Sequence, residues 1–310
     1  MSDKVMDRIT AKLLEIVSDF HGSFMGAYNI RQNGECVGRK SSPNIEITSK
    51  TDKSGIDIKV KPGTRGETVY IPACVSKGGV DDLVYNDFFI GPDCDITIVA
   101  GCGVHTDSEG EARHDGIHAF FVGENSRVLY EEKHIGTGDG KGEKSINPVT
   151  EATLEKNSYL EIDTTQISGV DHANRKTKAT VAEGAHLVVH ERLLTDGDET
   201  SDTDFLVELN GDGSGADIVS RSVAKGRSHQ VLYSTIIGNA ACTGHSECDA
   251  IIDGEAIVDA SPRLFARDPD ASLIHEAAIG KIAGEQILKL RTLGLTEEEA
   301  EQQIIEGFLA

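Results

Sequence analysis

The chain has 310 residues, 38% of them hydrophobic and only 5% aromatic, with no tryptophan. A core short of large rings must be filled by Val, Ile, Leu and Ala, which suits repetitive β structure better than one globular core. Thirty basic residues against 52 acidic ones leave a net charge of −22, which argues against nucleic acid and anionic lipid as partners.

The first predicted element is a helix. Val5, Ile9, Leu13, Ile16, Val17 and Phe20 fall at helical spacing. Residues 1–20 lack the short apolar core of a signal peptide, and no run approaches the roughly 20 apolar residues of a membrane span. The expectation is a surface helix on a cytoplasmic protein without membrane insertion.

A repeat follows. The segments 90–101, 122–136, 154–169, 181–196 and 209–224 each open on an apolar residue, turn through Gly, Asn, Asp or Glu, and run into alternating apolar residues. Their starts are 32, 32, 27 and 28 residues apart. A period of this length means stacked units, and alternation at period two means strands with one buried face. Seven prolines in all leave few ladders broken. Strands without crossover helices, stacked at a fixed period, predict a β-helix. A β-sandwich would bring its strands at closer, more even spacing.

Residues 285–293 then read as helix, stopped by Gly294. Thr296 and Glu299 form a capping box, and Ala300, Ile304 and Phe308 fall four apart on one apolar stripe. The chain therefore ends in a helical hairpin that must dock on the β body, on a partner, or on both.

Six cysteines, Cys36, Cys74, Cys94, Cys102, Cys242 and Cys248, are too sparse for a disulfide framework and read as free thiols or metal ligands. Cys242, His245 and Cys248 stand at C-x-x-H-x-x-C spacing. Thiolates select iron–sulfur species, zinc or copper(I), and imidazole suits zinc and iron. Two unrelated buried cysteines are the plain alternative. His275 and Glu276 sit at the junction of β body and tail, either as ligands or as the charged start of a helix. Cys102, His105, His114 and His118 put one thiol and three imidazoles within 17 positions, as a metal group or as histidines stacked in β-helix turns. No G-x-x-x-x-G-K-[ST] loop is present, so the chain is not expected to hydrolyse ATP itself. Nor is there a G-x-S-x-G elbow.

The tail carries a family resemblance. Residues 271–282, with His275-Glu276-Ala277 and Lys281-Ile282, resemble the H-E-A-T-x-x-K-I junction of the SufB/SufD family of iron–sulfur cluster assembly scaffolds, in a short archaeal-type form. Residues 285–288, 291–300 and 307–309 resemble its D-Q-L-F-Y-L…R-G-L-S-E-E-E-A…G-F-L ending. Glu247-Cys248-Asp249 resembles the Q-C-D segment of SufB. The resemblance is strongest from about residue 205 to the end and weaker back to residue 85.

The resemblance implies a right-handed parallel β-helix over 40–273, preceded by an N-terminal helix and lead-in over 1–39 and followed by a helical domain over 274–310. It implies a scaffold without catalytic residues of its own, holding iron and a transient iron–sulfur cluster. A SufC-like ABC-type ATPase would dock on 274–310, the β-helix would form a homodimer, and apo iron–sulfur proteins would be the clients. Cys248, Glu276 and His275 match the family's cysteine, glutamate and histidine at the cluster site, and Cys242 and His245 join them as auxiliary ligands. One departure stands out: SufB has a sulfur-accepting cysteine on a central strand, and here the matching position falls near Asp204 or Phe205. The competing expectations are a β-helix carbohydrate-active enzyme and an accessory subunit of an ABC-type transport complex.

Overall fold

The structure is a computed structural model that describes residues 6–309; Val5 and Ala310 lie outside them. It is a parallel β-helix of about eight turns. A helix α1 (Arg8–Ser18) comes first. The lead-in follows with β1 (Ala27–Gln32), β2 (Glu35–Lys40), β3 (Ile45–Ser49) and β4 (Gly55–Val60). The body continues with β5 (Arg65–Val75), β6 (Val80–Ile90), β7 (Asp95–His105), β8 (Ala112–Val122), β9 (Arg127–Thr137), β10 (Lys144–Ile146), β11 (Val149–Leu154) and β12 (Tyr159–Gln166). It closes with β13 (His172–Val181), β14 (His186–Thr195), β15 (Thr200–Leu209), β16 (Gly215–Ala224), β17 (His229–Gly238), β18 (Thr243–Ile252), β19 (Ile257–Ala266) and β20 (Ser272–Gly280). Two helices end the described chain, α2 (Gly284–Thr292) and α3 (Glu297–Leu309).

The strands alternate between two sheets. Sheet A runs β2-β1-β5-β7-β9-β12-β14-β16-β18-β20, and sheet B runs β19-β17-β15-β13-β10-β8-β6-β4-β3. β10 and β11 are one strand of sheet B, interrupted at Asn147-Pro148, where proline has no N–H to give to the ladder. Within each sheet the body strands pair in parallel, each one coil away from its partner.

The turn residues that marked the repeat have a structural reason. Gly63, Asp93, Asn125, Asn157, Gly184 and Gly213 all adopt positive φ, at the turns that lead from sheet B into sheet A. Glycine takes that conformation without strain, and Asn and Asp tolerate it best among the rest. Their side chains also stack: Asn125 Nδ2 donates to Asp93 Oδ1 (3.3 Å) and Asn157 Nδ2 donates to Asn125 Oδ1 (3.3 Å). Inside, one continuous apolar cluster of Ile, Val, Leu, Ala and a few Phe fills the coils, as a chain poor in rings requires.

The N-terminal helix is not a free surface helix. Asp7 caps it, its Oδ1 accepting from Thr10 N (2.7 Å). Leu13, Leu14 and Val17 are buried against sheet A. The strand beneath makes room with Gly101 and Gly103. A Cβ on them would lie 2.6 Å from Val17 Cβ and 2.9 Å from Leu13 Cβ, closer than atoms can pack.

The tail differs from its sequence reading in one respect. β20 runs to Gly280, so 274–280, expected within the helical segment, pairs with β18 instead, and His275-Glu276 is strand rather than helix start. The capping box forms as read: Thr296 N donates to Glu299 Oε2 (2.8 Å) and Glu299 N to Thr296 Oγ1 (3.2 Å). Helix α3 docks on the β body, burying Ala300 and Ile305, while Leu288 and Leu293 of the α2 segment stay exposed. Among the described residues no helix is long and apolar enough to cross a membrane.

Candidate functional site

The last two coils gather the sequence-picked donors, and the pleat divides them. Successive residues of a strand point to opposite faces. On β18, Gly244, Ser246, Cys248 and Ala250 face the interior, and His245 and Glu247 face outward. β20 lies beside it with Ser246↔His275, Glu247↔Glu276 and Cys248↔Ala277 in register. His275 therefore shares the inner face with Cys248, and Glu276 shares the outer face with Glu247 and His245. This corrects the C-x-x-H-x-x-C reading. A spacing of three along a strand puts His245 and Cys248 on opposite sides of the sheet, so the three do not form one chelate. Cys242 precedes the strand in the turn, buried against Gly238, where a Cβ would come within 2.8 Å of its Sγ.

On the inner face, Cys248 is 2% exposed. Burial, reinforced by the carboxylates of Glu191 and Asp249, pushes its thiol up to about 12. It is a protonated thiol at neutral pH unless a metal or cluster replaces the proton. His275 Nδ1 is buried without a hydrogen-bond partner. Cys248 and His275 thus stand diagonally across adjacent strands on one inner face, a thiol and an orphaned imidazole nitrogen of the types that suit iron or a cluster.

Cys248 also ends a polar file that the sequence reading missed. Ala100, Glu132, Thr164, Glu191, Ser220, Cys248 and Ala277 are successive register partners along the inner face of sheet A. Ser220 Oγ donates to Glu191 Oε2 (2.7 Å), and Thr203 Oγ1 donates to Glu191 Oε1 (3.0 Å). Arg175 reaches in from sheet B, with Nε 3.2 Å from Glu191 Oε1 and Nη1 3.6 Å from Glu132 Oε2. Its Nη2 donates to His134 Nδ1 (3.1 Å). A guanidinium only donates, so neutral His134 carries its proton on Nε2, which faces Glu132 Oε1 at 3.3 Å. Burial works against the Glu132 charge, but His134, His118 and Arg175 outweigh it and hold the carboxyl well below its usual range. The signal was present: Glu132 and Glu191 interrupt inward-facing apolar alternation at equivalent places in their repeats.

Cys102, His105, His114 and His118 do not form one group. Cys102 lies on the inner face of β7 among Ala73, Val104 and Ile146, whereas His105 lies on the opposite face. There His105 bonds Thr137 Oγ1 (2.8 Å) and approaches Asp107 (2.9 Å). Positions 102 and 105 differ by an odd number, and the pleat separates them. His114 and His118 do face inward from β8. His114 Nδ1 donates to Asp82 Oδ2 (3.2 Å), whose carboxylate also takes Arg31 (2.6 Å to Oδ1). Burial pulls His118 down to about 4, so it is neutral; its Nδ1 has no partner.

On the outer face, His245, Glu247 and Glu276 bring one ligand atom each within 4.8 Å of one another. His245 Nδ1 donates to Asp217 Oδ1 (2.8 Å), and Arg221 stands 3.8 Å from Glu247. Sequence reading had named His245 and Glu276 but not Glu247 or Asp217. Glu247 is two positions from His245, the spacing that shares a strand face.

The structure defines a two-sheeted parallel β-helix whose last coils concentrate thiol, imidazole and carboxylate side chains. The chain belongs to the SufBD family: the core domain of SUF system FeS cluster assembly matches residues 88–308. It is 30% identical over 261 residues to an iron–sulfur cluster assembly SufBD family protein of Archaeoglobus fulgidus, covering 83% of this chain and 69% of that one. A namesake from Methanothermobacter thermautotrophicus is 28% identical, covering 84% of this chain and 63% of its own length. One from Pyrococcus horikoshii is 28% identical, covering 88% and 83%.

Proposed function

We propose that this chain is the scaffold on which iron–sulfur clusters are assembled and handed to apo client proteins, in the cytoplasm, as a homodimer served by a SufC-like ABC-type ATPase. Membership of the SufBD family supports the assembly role. The observation that carries the reading is the last coil, where the buried thiol of Cys248 and the orphaned imidazole of His275 lie on adjacent strands. Iron and sulfide are the cargo. Cys248 is the first ligand, with His275 on the same inner face; Glu276 and His245, on the outer face, act as exchangeable donors, and Cys242 in the preceding turn as a supporting one.

The same end of the molecule supports pairing with a second copy. β20 is the terminal strand of sheet A and β19 of sheet B, so both offer unpaired backbone edges. Ile257, Phe265, Ile274 and Ile279 are exposed on these two strands, and a self-complementary edge gives a closed two-fold dimer. Two such edges meeting would bring both copies' Cys248 and His275 to one interface.

The helical segment, 284–309, supports an ATPase contact. With Ala300 and Ile305 already docked on the β body, the free apolar side chains are Leu288 and Leu293 on α2 and its exit. ATP-driven closure of two ATPases would then strain the scaffold interface through the hairpins.

The test is anaerobic reconstitution with ferrous iron and sulfide. The wild-type chain is expected to turn brown and absorb broadly near 400 nm, roughly where thiolate–iron chromophores absorb. Cys248→Ser is expected to fold and dimerise normally while losing most bound iron and sulfide. Wild-type iron content in Cys248→Ser would overturn the assignment.

A further inference from the structure

The outer face of β16, β18 and β20 carries a second donor group that has no sulfur in it. His245 and Glu247 are two apart on β18 and so share a face; Glu276 is the register partner of Glu247 on β20. Their ligand atoms lie within 4.8 Å of one another. Parallel ladders on both sides of β18 fix the backbone beneath all three.

Two further observations point to a cation. First, Asp217, the register partner of His245 on β16, accepts the Nδ1 proton at 2.8 Å. That fixes the tautomer in which Nε2 carries the lone pair, the carboxylate–imidazole arrangement that supports metal-bound histidines. Second, Glu247 and Glu276 are direct cross-strand neighbours. Like charges in that position destabilise a sheet, and the guanidinium of Arg221, 3.8 Å from Glu247, answers only part of two negative charges. Asp249, next outward-facing residue on β18, is engaged elsewhere, its Oδ1 accepting from Ala278 N (3.0 Å).

We propose that His245, Glu247 and Glu276 form a mononuclear site for a first-row divalent metal ion, with Asp217 as its positioning residue. One imidazole and two carboxylates suit Fe(II), Mn(II), Co(II) or Zn(II) and leave coordination positions open. The site lies on the opposite face of the sheet from Cys248, so it takes the ion without thiolate. That the cellular ion is ferrous iron rests on the scaffold reading above; the site itself does not. An open, oxygen-rich site holds iron loosely, across the sheet from the place where thiolate will hold it firmly, and so serves as a loading position.

The experiment titrates the full apo chain anaerobically with Co(II), read by visible absorption and calorimetry. The expected result is one ion per chain at the outer site, with d–d bands that owe nothing to thiolate. Glu247→Gln and Glu276→Gln should each weaken binding at least about tenfold, and Asp217→Asn by about tenfold. In Cys248→Ser, which lacks the inner-face thiol, the d–d bands of the outer site should persist with unchanged affinity. Unchanged affinity in Glu247→Gln overturns the site, as does loss of the d–d bands in Cys248→Ser. Either failure leaves the cluster test on Cys248 standing, because that test reads sulfide and iron content on the other face.

Discussion

The two ends of this β-helix are finished differently. At the N-terminal end β2 and β3 turn antiparallel against β1 and β4, and α1 lies across sheet A with Leu13, Leu14 and Val17 buried. The coils just inside hold two buried polar groups, Asp82 with His114, and Glu132 with His134 and Arg175. At the C-terminal end β19 and β20 are the outermost strands of their sheets among the described residues, and most of their side chains are exposed. The closed end pairs its buried charges with one another, Asp82 with His114 and Arg31 and Glu132 with Arg175, although His118 Nδ1 stays without a partner there. The open end carries its donors on the last strands of the sheets, His275 Nδ1 among them without a partner. On the function proposed above, stability belongs to the first region and chemistry to the second.

The largest expected effect is therefore inside. Arg175 is the one cation within 4 Å of both Glu132 and Glu191 among the described residues. Arg175→Met would leave two buried carboxylates without their counter-charge, at about 3–5 kcal/mol. Urea unfolding followed by far-UV circular dichroism checks it. A loss below about 1 kcal/mol would mean that water already reaches this network, and the contrast between the ends would weaken.

The next effect is pH dependence, again at the closed end. Burial holds His118 at about 4 against an ordinary 6.5, so between those values the unfolded chain binds the extra proton. Stability should rise with pH across that window, on the order of 1–3 kcal/mol for this residue. Asp82 adds to the acid side: burial opposes its charge, but His114 and Arg31 hold the carboxyl below its usual range, and that stabilisation is lost as pH falls below about 4. His118→Gln should flatten the slope between pH 4 and 6.5, measured as the denaturation midpoint against pH; an unchanged slope would assign it to other groups.

Thiol reactivity separates the ends more gently. Cys36 is exposed on β2, while Cys74, Cys94, Cys102, Cys242 and Cys248 are buried. Iodoacetamide should label Cys36 first in the native chain. Cys248, buried and held as thiol near 12, should lag by more than about tenfold until the chain is unfolded. Mass spectrometry of a time course reads this directly, and rapid native labelling of Cys248 would show its coil more open than drawn.

Much of this was legible in the sequence because β-helix physics is periodic. The turn residues marked the coils, since Asn125, Asn157, Gly184 and Gly213 are where the backbone needs positive φ. The capping box of Thr296 and Glu299 is a local hydrogen-bond exchange and formed as read. The site was legible residue by residue but not as an arrangement. Cys248, His275, His245 and Glu276 were all picked, yet grouping by sequence distance ignored the pleat, which sends His245 outward and Cys248 inward. Glu247, Asp217, Glu132 and Arg175 were missed because their partners lie one coil or one sheet away, and only the register brings them together.

The smallest expected effect on stability is at the open end, and it is the sharpest test of the contrast. His275 has a nitrogen buried without a partner, which carries a desolvation penalty in the folded state. His275→Ala removes that penalty along with some packing on a strand with no neighbour beyond it. Glu276→Gln removes one of two adjacent like charges on an exposed face. Neither change opens a cavity in the closed coils or strands a buried charge, so each should shift unfolding free energy by less than about 0.5 kcal/mol, with an unchanged denaturant slope. The same two substitutions should slow or reduce iron loading in reconstitution. A protein under selection for stability alone has no reason to keep an orphaned imidazole and paired carboxylates there; one that must receive a metal does. If either variant instead unfolded at markedly lower denaturant while loading iron normally, these residues would be structural, and the division between a stabilising end and a chemical end would fail.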